Sequence, residues 1–259
     1  MHWAKPMAIG LVAILATASV ASAKDWTTIR VGTDATYPPF ESVDSSGKFV
    51  GFDIDILDAI CAEIKAKCTY VNQDFDGIIP ALVAGKFDVI DSSISITEER
   101  KKTIDFTDKY YNTPAAIVVS KDSDIKGITV DDLAGKTIGV QSSTTHANYA
   151  QKTYTKSEIK LYPSADQFKL DLSSGRLDAA NDDVVVLQSW VDSPDGACCK
   201  VIGTIKPVPE IHGLGAGFGV RKEDQDLKEL LNKGIAAIRA NGKYKEINDK
   251  YFKFDAYGS

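Results

Sequence analysis

Phe87-Asp88-Val89-Ile90-Asp91-Ser92-Ser93-Ile94-Ser95-Ile96-Thr97-Glu98-Glu99-Arg100-Lys101-Lys102 reads as a strand running into the start of a helix. The apolar run ends in serines, and Thr97 ahead of two glutamates is an N-cap. Arg100 then falls at the third helical position. A capping box wants Glu or Gln there, and a cation in the first turn opposes the helix dipole. An arginine at this point makes sense if it holds an anion together with the helix N-terminus, because its planar fork matches a carboxylate. The bland alternative is a solvated arginine beside Lys101 and Lys102, and spacing alone does not choose between the two.

Outward from this unit, strands and helices alternate, the mark of an α/β protein. Ile29–Thr33 is a strand that Tyr37-Pro38-Pro39-Phe40 cannot continue, since prolines remove donors. Phe49–Phe52 is a second extended piece. Asp53 is placed to cap a helix with Ile54, Leu57, Ile60, Cys61 and Ile64 on one face. Cys68–Val71 is a strand, and Gly77–Ala84 a short helix stopped by Gly85. Ala115–Ser120 and Lys136–Val140 read as strands, Thr145–Lys152 and Ala165–Ser173 as helices. Thr129-Val130-Asp131-Asp132 has the form of a capping box before a short helix. Leu227, Leu230, Leu231, Ile235 and Ile238 mark a C-terminal helix, and Tyr244–Phe252 a last one.

Composition sets limits on function. The chain has 259 residues, 44% hydrophobic and 25% charged, values ordinary for a globular protein. A net charge of −6 lacks the footprint of a nucleic-acid binder. Three histidines and four cysteines without CxxC spacing leave little for a metal site, so neither metal nor cofactor is expected. Lys5, the apolar run Met7–Val20 and Ala21-Ser22-Ala23 form a secretory signal, with the mature chain starting at Lys24. No cysteine closes that run, so no lipid anchor is expected there. In an oxidising compartment disulfides persist. Cys61 and Cys68 then read as a local staple between a helix and the next strand. Cys198 and Cys199 are adjacent, and a vicinal bridge, a link to another partner and free thiols all remain open.

Other residues cluster at strand ends. Gln141-Ser142-Ser143-Thr144-Thr145-His146 follows a strand and supplies hydroxyl and N–H donors at a helix start. Asp34 closes the first strand, and Asp182 and Asp183 close another. In open α/β sheets ligands sit beyond such ends, where acids hold an ammonium or guanidinium. Single acids of this kind are more often plain loop acids. Tyr37 and Phe75 are core residues or stacking surfaces for a ligand chain.

Taken together, these motifs resemble the periplasmic polar-amino-acid-binding proteins of ABC importers, and within them the lysine/arginine/ornithine- and histidine-binding branch. They are Gly32–Phe40, Gly51-Phe52-Asp53-Ile54-Asp55, Asp74–Pro80, Ser92–Arg100, Gly175–Ala180 and Lys250-Tyr251-Phe252. The resemblance implies a two-lobed clamp of mixed sheets flanked by helices. Residues 24–111 and 208–259 would make one lobe and 112–207 the other, with crossings near Tyr111–Asn112 and Lys206–Pro209. It implies that Arg100 grips an α-carboxylate, helped by Ser95, Thr144 and Thr145, and that Asp183 takes the α-ammonium near Ser93. Asp34 and Ser92 would face the side-chain end, with Tyr37 and Phe75 as walls. It also matches Cys61 and Cys68 to a disulfide. The expected role is capture of arginine, lysine or ornithine, with histidine as a further ligand, by a non-enzymatic monomer that delivers it to a separate membrane permease. Gln141 and His146 stand where relatives carry Leu and Gln, and Asp91 replaces an apolar residue. These departures keep glutamine and opines as rival ligands, and Asp91 either adds negative potential to the pocket or lies on the opposite strand face. A cyclohexadienyl dehydratase-like enzyme is the rival of another class.

Overall fold

In the computed structural model, residues 1–3 and 24–258 are described; the signal segment lies almost entirely outside them. The chain opens with β1 (Thr28–Thr33), β2 (Thr36–Tyr37), β3 (Glu41–Val43), β4 (Phe49–Val50) and α1 (Phe52–Glu63). β5 (Lys67–Asn72), α2 (Phe75–Val83), β6 (Val89–Ile90), α3 (Glu98–Lys101) and β7 (Asp105–Tyr111) follow. The middle carries β8 (Ala115–Ser120), β9 (Thr137–Gln141), α4 (Thr145–Thr153), β10 (Glu158–Tyr162), α5 (Ala165–Ser173), β11 (Ala179–Asp183), α6 (Val184–Val191) and β12 (Cys199–Thr204). The chain closes with α7 (Pro209–His212), β13 (Ala216–Val220), α8 (Gln225–Ala240) and α9 (Lys243–Tyr251).

These elements build two five-stranded sheets, ordered β5-β1-β6-β13-β7 and β10-β9-β11-β8-β12. In each sheet four strands run one way and one, β13 in the first and β8 in the second, runs against them. The inner parallel strands β6, β9 and β11 are buried almost throughout, while the edge strands β5 and β10 stay largely exposed. Ile29, Val31, Leu57, Ile60, Phe218, Leu231 and Ile235 fill the first core. Ile117, Val119, Ile138 and Val140 belong to the second. The carboxyl ends of β1, β6, β9 and β11 carry Asp34, the serines, Gln141 and Asp183.

Two local readings are corrected. Asp53 does not cap α1. The helix starts two residues earlier, from Gly51, whose φ of 139° and whose approach to the Phe40 carbonyl leave no room for a Cβ. Asp53 is thereby drawn into the helix and turned inward, fully buried. The Thr129–Asp132 box makes its reciprocal bonds, Thr129 N to Asp132 at 2.9 Å and Asp132 N to Thr129 Oγ1 at 3.2 Å. Gly135 then takes a positive φ before a helix can propagate, so the segment is a turn. The Cys61–Cys68 bridge joins α1 to β5, as expected.

Candidate functional site

The β6–α3 unit builds one wall. Asp34 N donates to Ser92 Oγ at 2.9 Å. Ser93, with φ of 49°, turns its N–H and Oγ onto Asp53 Oδ2 at 2.9 and 3.0 Å, and its Oγ is 3.0 Å from Glu41 Oε2. Thr97 Oγ1 accepts from Arg100 N, so the cap read from the sequence is made. Arg100 Nη1 donates to the Ser95 carbonyl at 2.9 Å and Nη2 to the Ser143 carbonyl at 3.0 Å. Its guanidinium lies 5.4 Å from the Phe75 ring centre. Among the described residues no acid lies within ion-pair distance of it. Burial lowers its pKa to about 10, which leaves it charged at neutral pH. A guanidinium has five donors, so donors remain beyond the two carbonyls.

The β9–α4 unit faces it. Thr144 caps α4 by accepting from Ala147 N at 3.0 Å, and Ser95 Oγ is 3.5 Å from Thr145 Oγ1. Gln141 Nε2 donates to Asp34 Oδ2 at 2.9 Å and to the Pro163 carbonyl at 3.1 Å. His146 Nε2 is 3.4 Å from Asp182 Oδ1, the atom that also accepts from the Tyr37 hydroxyl. Burial lowers the His146 pKa, so the ring is neutral at neutral pH. Asp183 caps α6 by accepting from Val185 N at 2.7 Å and also accepts from the Thr113 hydroxyl. Burial lifts its carboxyl to about 7, with a smaller push from Asp182. Asp34 is raised mainly by burial, against the Thr36 and Gln141 donors.

The two walls border an open pocket, about 360 Å³ with the solvent space at its mouth included. Asp34, Tyr37, Phe75, Ser92, Ser93, Ser95, Arg100, Gln141, Thr144, Thr145 and His146 all line it. Asp183 lies in an adjoining chamber of about 590 Å³ that shares Tyr37, Ser93, Ser95, Thr145 and His146. Sequence reasoning missed Glu41, which also lines the cavity and is 1% exposed. A single acid after Pro-Pro-Phe reads as a loop residue; only its place as the first residue of β3 turns it inward. Asp91 does not line the cavity. It is fully buried, and neither carboxyl oxygen has a partner. Burial first and the nearby Asp53 second push its pKa well up. Glu41 is raised for the same reasons, and Asp53 to about 6.

The sequence profile of the bacterial extracellular solute-binding proteins, family 3, matches residues 29–254. The chain belongs to this family. Its relatives include a histidine-binding periplasmic protein of Escherichia coli K12, 42% identical over 97% of this chain and 98% of that one. An L-arginine-binding protein of Pseudomonas aeruginosa is 43% identical over 89% and 90%. An ABC transporter arginine-binding protein of Escherichia coli K12 is 37% identical over 86% and 90%. The named relatives are binding proteins rather than enzymes. Among solved structures, an ancestral arginine-binding protein bound to arginine superposes with a TM-score of 0.81 at 38% identity, covering 87% of this chain and 98% of that one. An ancestral arginine-binding protein bound to glutamine superposes with a TM-score of 0.81 at 38% identity, covering 88% of this chain and 99% of that one. An ancestral amino acid-binding protein described as a precursor of cyclohexadienyl dehydratase superposes at 0.78 with 34% identity, covering 88% and 96%.

Proposed function

We propose that this family 3 protein works in the periplasm, capturing a cationic amino acid (arginine, lysine or ornithine, with histidine as a further ligand) and delivering it to an ABC permease on separate chains. The observation that carries this reading is the charge pattern of one cavity. Arg100 is free of any acid among the described residues, while Asp34 lines the same space. An amino acid with a cationic side chain supplies both complements, a carboxylate for Arg100 and a cation for Asp34.

In this reading Arg100 takes the α-carboxylate with Ser95, Thr144 and Thr145, and Asp183 takes the α-ammonium beside Ser93. Asp34 and Ser92 meet the side-chain end between Tyr37 and Phe75. The sheet built from residues 24–111 and 208–259 and the sheet within 112–207 act as two lobes. They close about the crossings at Tyr111–Asn112 and Lys206–Pro209. The mature chain begins at Lys24, acts as a monomer and catalyses no reaction. Glutamine is the second reading, supported by the Gln141 amide already seated on Asp34, which shows that this acid accepts from an amide.

A thermal-shift panel tests the assignment. Arginine, lysine and ornithine are expected to raise the melting temperature most. A stronger rise with glutamine or an opine would overturn the ligand class. Turnover of prephenate or arogenate would overturn the non-enzymatic reading.

A further inference from the structure

Far from the cleft, Cys198 and Cys199 stand side by side at the start of β12. Their Sγ atoms are 2.7 Å apart, inside the contact distance of unbonded sulfurs. Cys198 is exposed and Cys199 fully buried. The backbone here is held at both sides. Lys121 N donates to the Cys198 carbonyl at 2.8 Å, and Cys199 pairs with Ser120 on β8. Gly196, just before, sits so close to the Trp190 carbonyl that a Cβ would meet its oxygen at 2.1 Å. The two thiols therefore meet because the strand start is fixed, not because long side chains wander together.

We propose that Cys198 and Cys199 are a thiol–disulfide exchange site whose oxidised state is a vicinal disulfide formed within the chain. The oxidant is a small-molecule disulfide. The Cys198 thiolate attacks one sulfur of it, one thiolate leaves, and Cys198 carries a mixed disulfide. The Cys199 thiolate then attacks Cys198 Sγ, and the second small-molecule thiolate leaves. Two protein thiols are oxidised, one disulfide is reduced to two thiols, and the cysteine protons end on the departing thiols.

Two effects oppose each other in the second step. Burial, with Cys198 adding to it, pushes the Cys199 thiol up to about 12. Against an ordinary thiol near 8.5 that lowers the thiolate fraction by roughly 10³. The higher basicity returns roughly half of that on a logarithmic scale, since nucleophilicity rises with pKa with a coefficient of about 0.4–0.5. Well-oriented neighbours reach effective concentrations of about 10⁵ M or more. Contact therefore outweighs the raised pKa, and closure wins over release of the mixed disulfide by an external thiol at millimolar concentration. Its exposed member makes the closed pair one that a dithiol reopens.

The site is independent of the proposed ligand cleft. On β8, Cys199 pairs with Ser120 and Asp183 with Ala115. Five residues of strand separate them, about 17 Å.

The test treats the ligand-free protein with oxidised glutathione, blocks it with N-ethylmaleimide and maps the peptides. The expected result is no adduct on either cysteine and a mass lower by two hydrogens than the protein with both thiols free. Dithiothreitol then restores two alkylation sites. Cys199→Ser is expected to stop at a glutathione adduct on Cys198. Two maleimide adducts after oxidation, a lasting glutathione adduct on Cys198 in the unmutated chain, or a covalent dimer through Cys198 would each overturn the proposal. Because the unmutated chain gives the primary reading, the test does not depend on the variant folding.

Discussion

Gln141 reaches from the end of β9 to Asp34 at the end of β1 and donates to its Oδ2 at 2.9 Å. One hydrogen bond thus joins the two sheets and occupies the acid proposed for the ligand's side-chain end. Asp34 keeps further lone pairs, because a carboxylate accepts at about four sites. A cation can therefore join it without displacing Gln141.

Asp34→Asn separates the ligand classes. It removes the charge and keeps the shape. Loss of one partner of a buried charge pair costs about 2–5 kcal/mol, so arginine binding is expected to weaken at least thirtyfold by calorimetry. Glutamine should lose less, since its amide gives up a charge-assisted hydrogen bond but can still donate to the remaining amide oxygen. Equal losses for both would remove Asp34 from the side-chain end.

Arg100→Ala is expected to abolish tight binding of every amino acid tested, at about 2–5 kcal/mol, while the chain stays folded. The guanidinium also donates to the Ser143 carbonyl across the cleft, so part of the loss comes from weaker closure. Circular dichroism checks the fold and calorimetry the affinity. Binding within threefold of the unmutated protein would take Arg100 out of the site.

Asp183 gives the site a pH dependence. In the ligand-free protein burial raises its carboxyl to about 7, so below that pH it is mostly protonated. Pairing with an ammonium needs the carboxylate, so binding must release a proton. Affinity then falls as pH drops below about 7, approaching tenfold per unit, about 1.4 kcal/mol. The contribution of Asp183 to folding has the opposite sign. Its folded pKa lies above the unfolded value, so that stability is fully present below the ordinary Asp range and is lost as pH rises through about 7. Calorimetry in buffers of different ionisation enthalpy at pH 6 counts the released protons. A flat affinity from pH 5 to 8 with no release would contradict the assignment.

Asp91→Leu is expected to stabilise the protein and leave ligand affinity unchanged. Both Asp91 oxygens are buried without partners, and such a group costs about 1–3 kcal/mol. A gain of roughly 2–4 °C per kcal/mol follows for a chain of this size. A lower melting temperature would show that this carboxyl has a structural role.

How legible each feature was in the sequence follows from how local it is. The Thr97 cap and the placing of Arg100 in the first turn depend on neighbours within a few residues, and both are made as read. The alternating strands and helices were legible because the buried inner strands, such as β8 and β9, leave apolar runs in the sequence. Glu41, Asp53 and Asp91 depend instead on which face tertiary packing closes. Asp53 looks like a cap by residue type, but the cap position falls two residues earlier, on Gly51, whose φ is 139°. The Asp182 link to Tyr37 joins residues far apart in sequence, and no local pattern marks such a pair.

Tyr37→Phe tests that link. Tyr37 lies on β2 and Asp182 on β11, so its hydroxyl ties the first wall to the second as Gln141 does. Phenylalanine keeps the aromatic wall and deletes only the donor. Asp182 Oδ1 then retains Asp183 N at 2.8 Å and the neutral His146 ring at 3.4 Å, which leaves a buried carboxylate short of one strong partner. A hydrogen bond to a charged group contributes about 1.5–3 kcal/mol. If the bond exists only when the lobes are together, its loss lowers ligand affinity by roughly tenfold to a hundredfold, mostly as faster release. The melting temperature of the ligand-free protein, dominated by the two separate cores, should move little. Stopped-flow release kinetics decide between this and a wall-only role: an unchanged release rate in Tyr37→Phe, with a large effect only in Tyr37→Ala, would show that the ring matters and the bond to Asp182 does not.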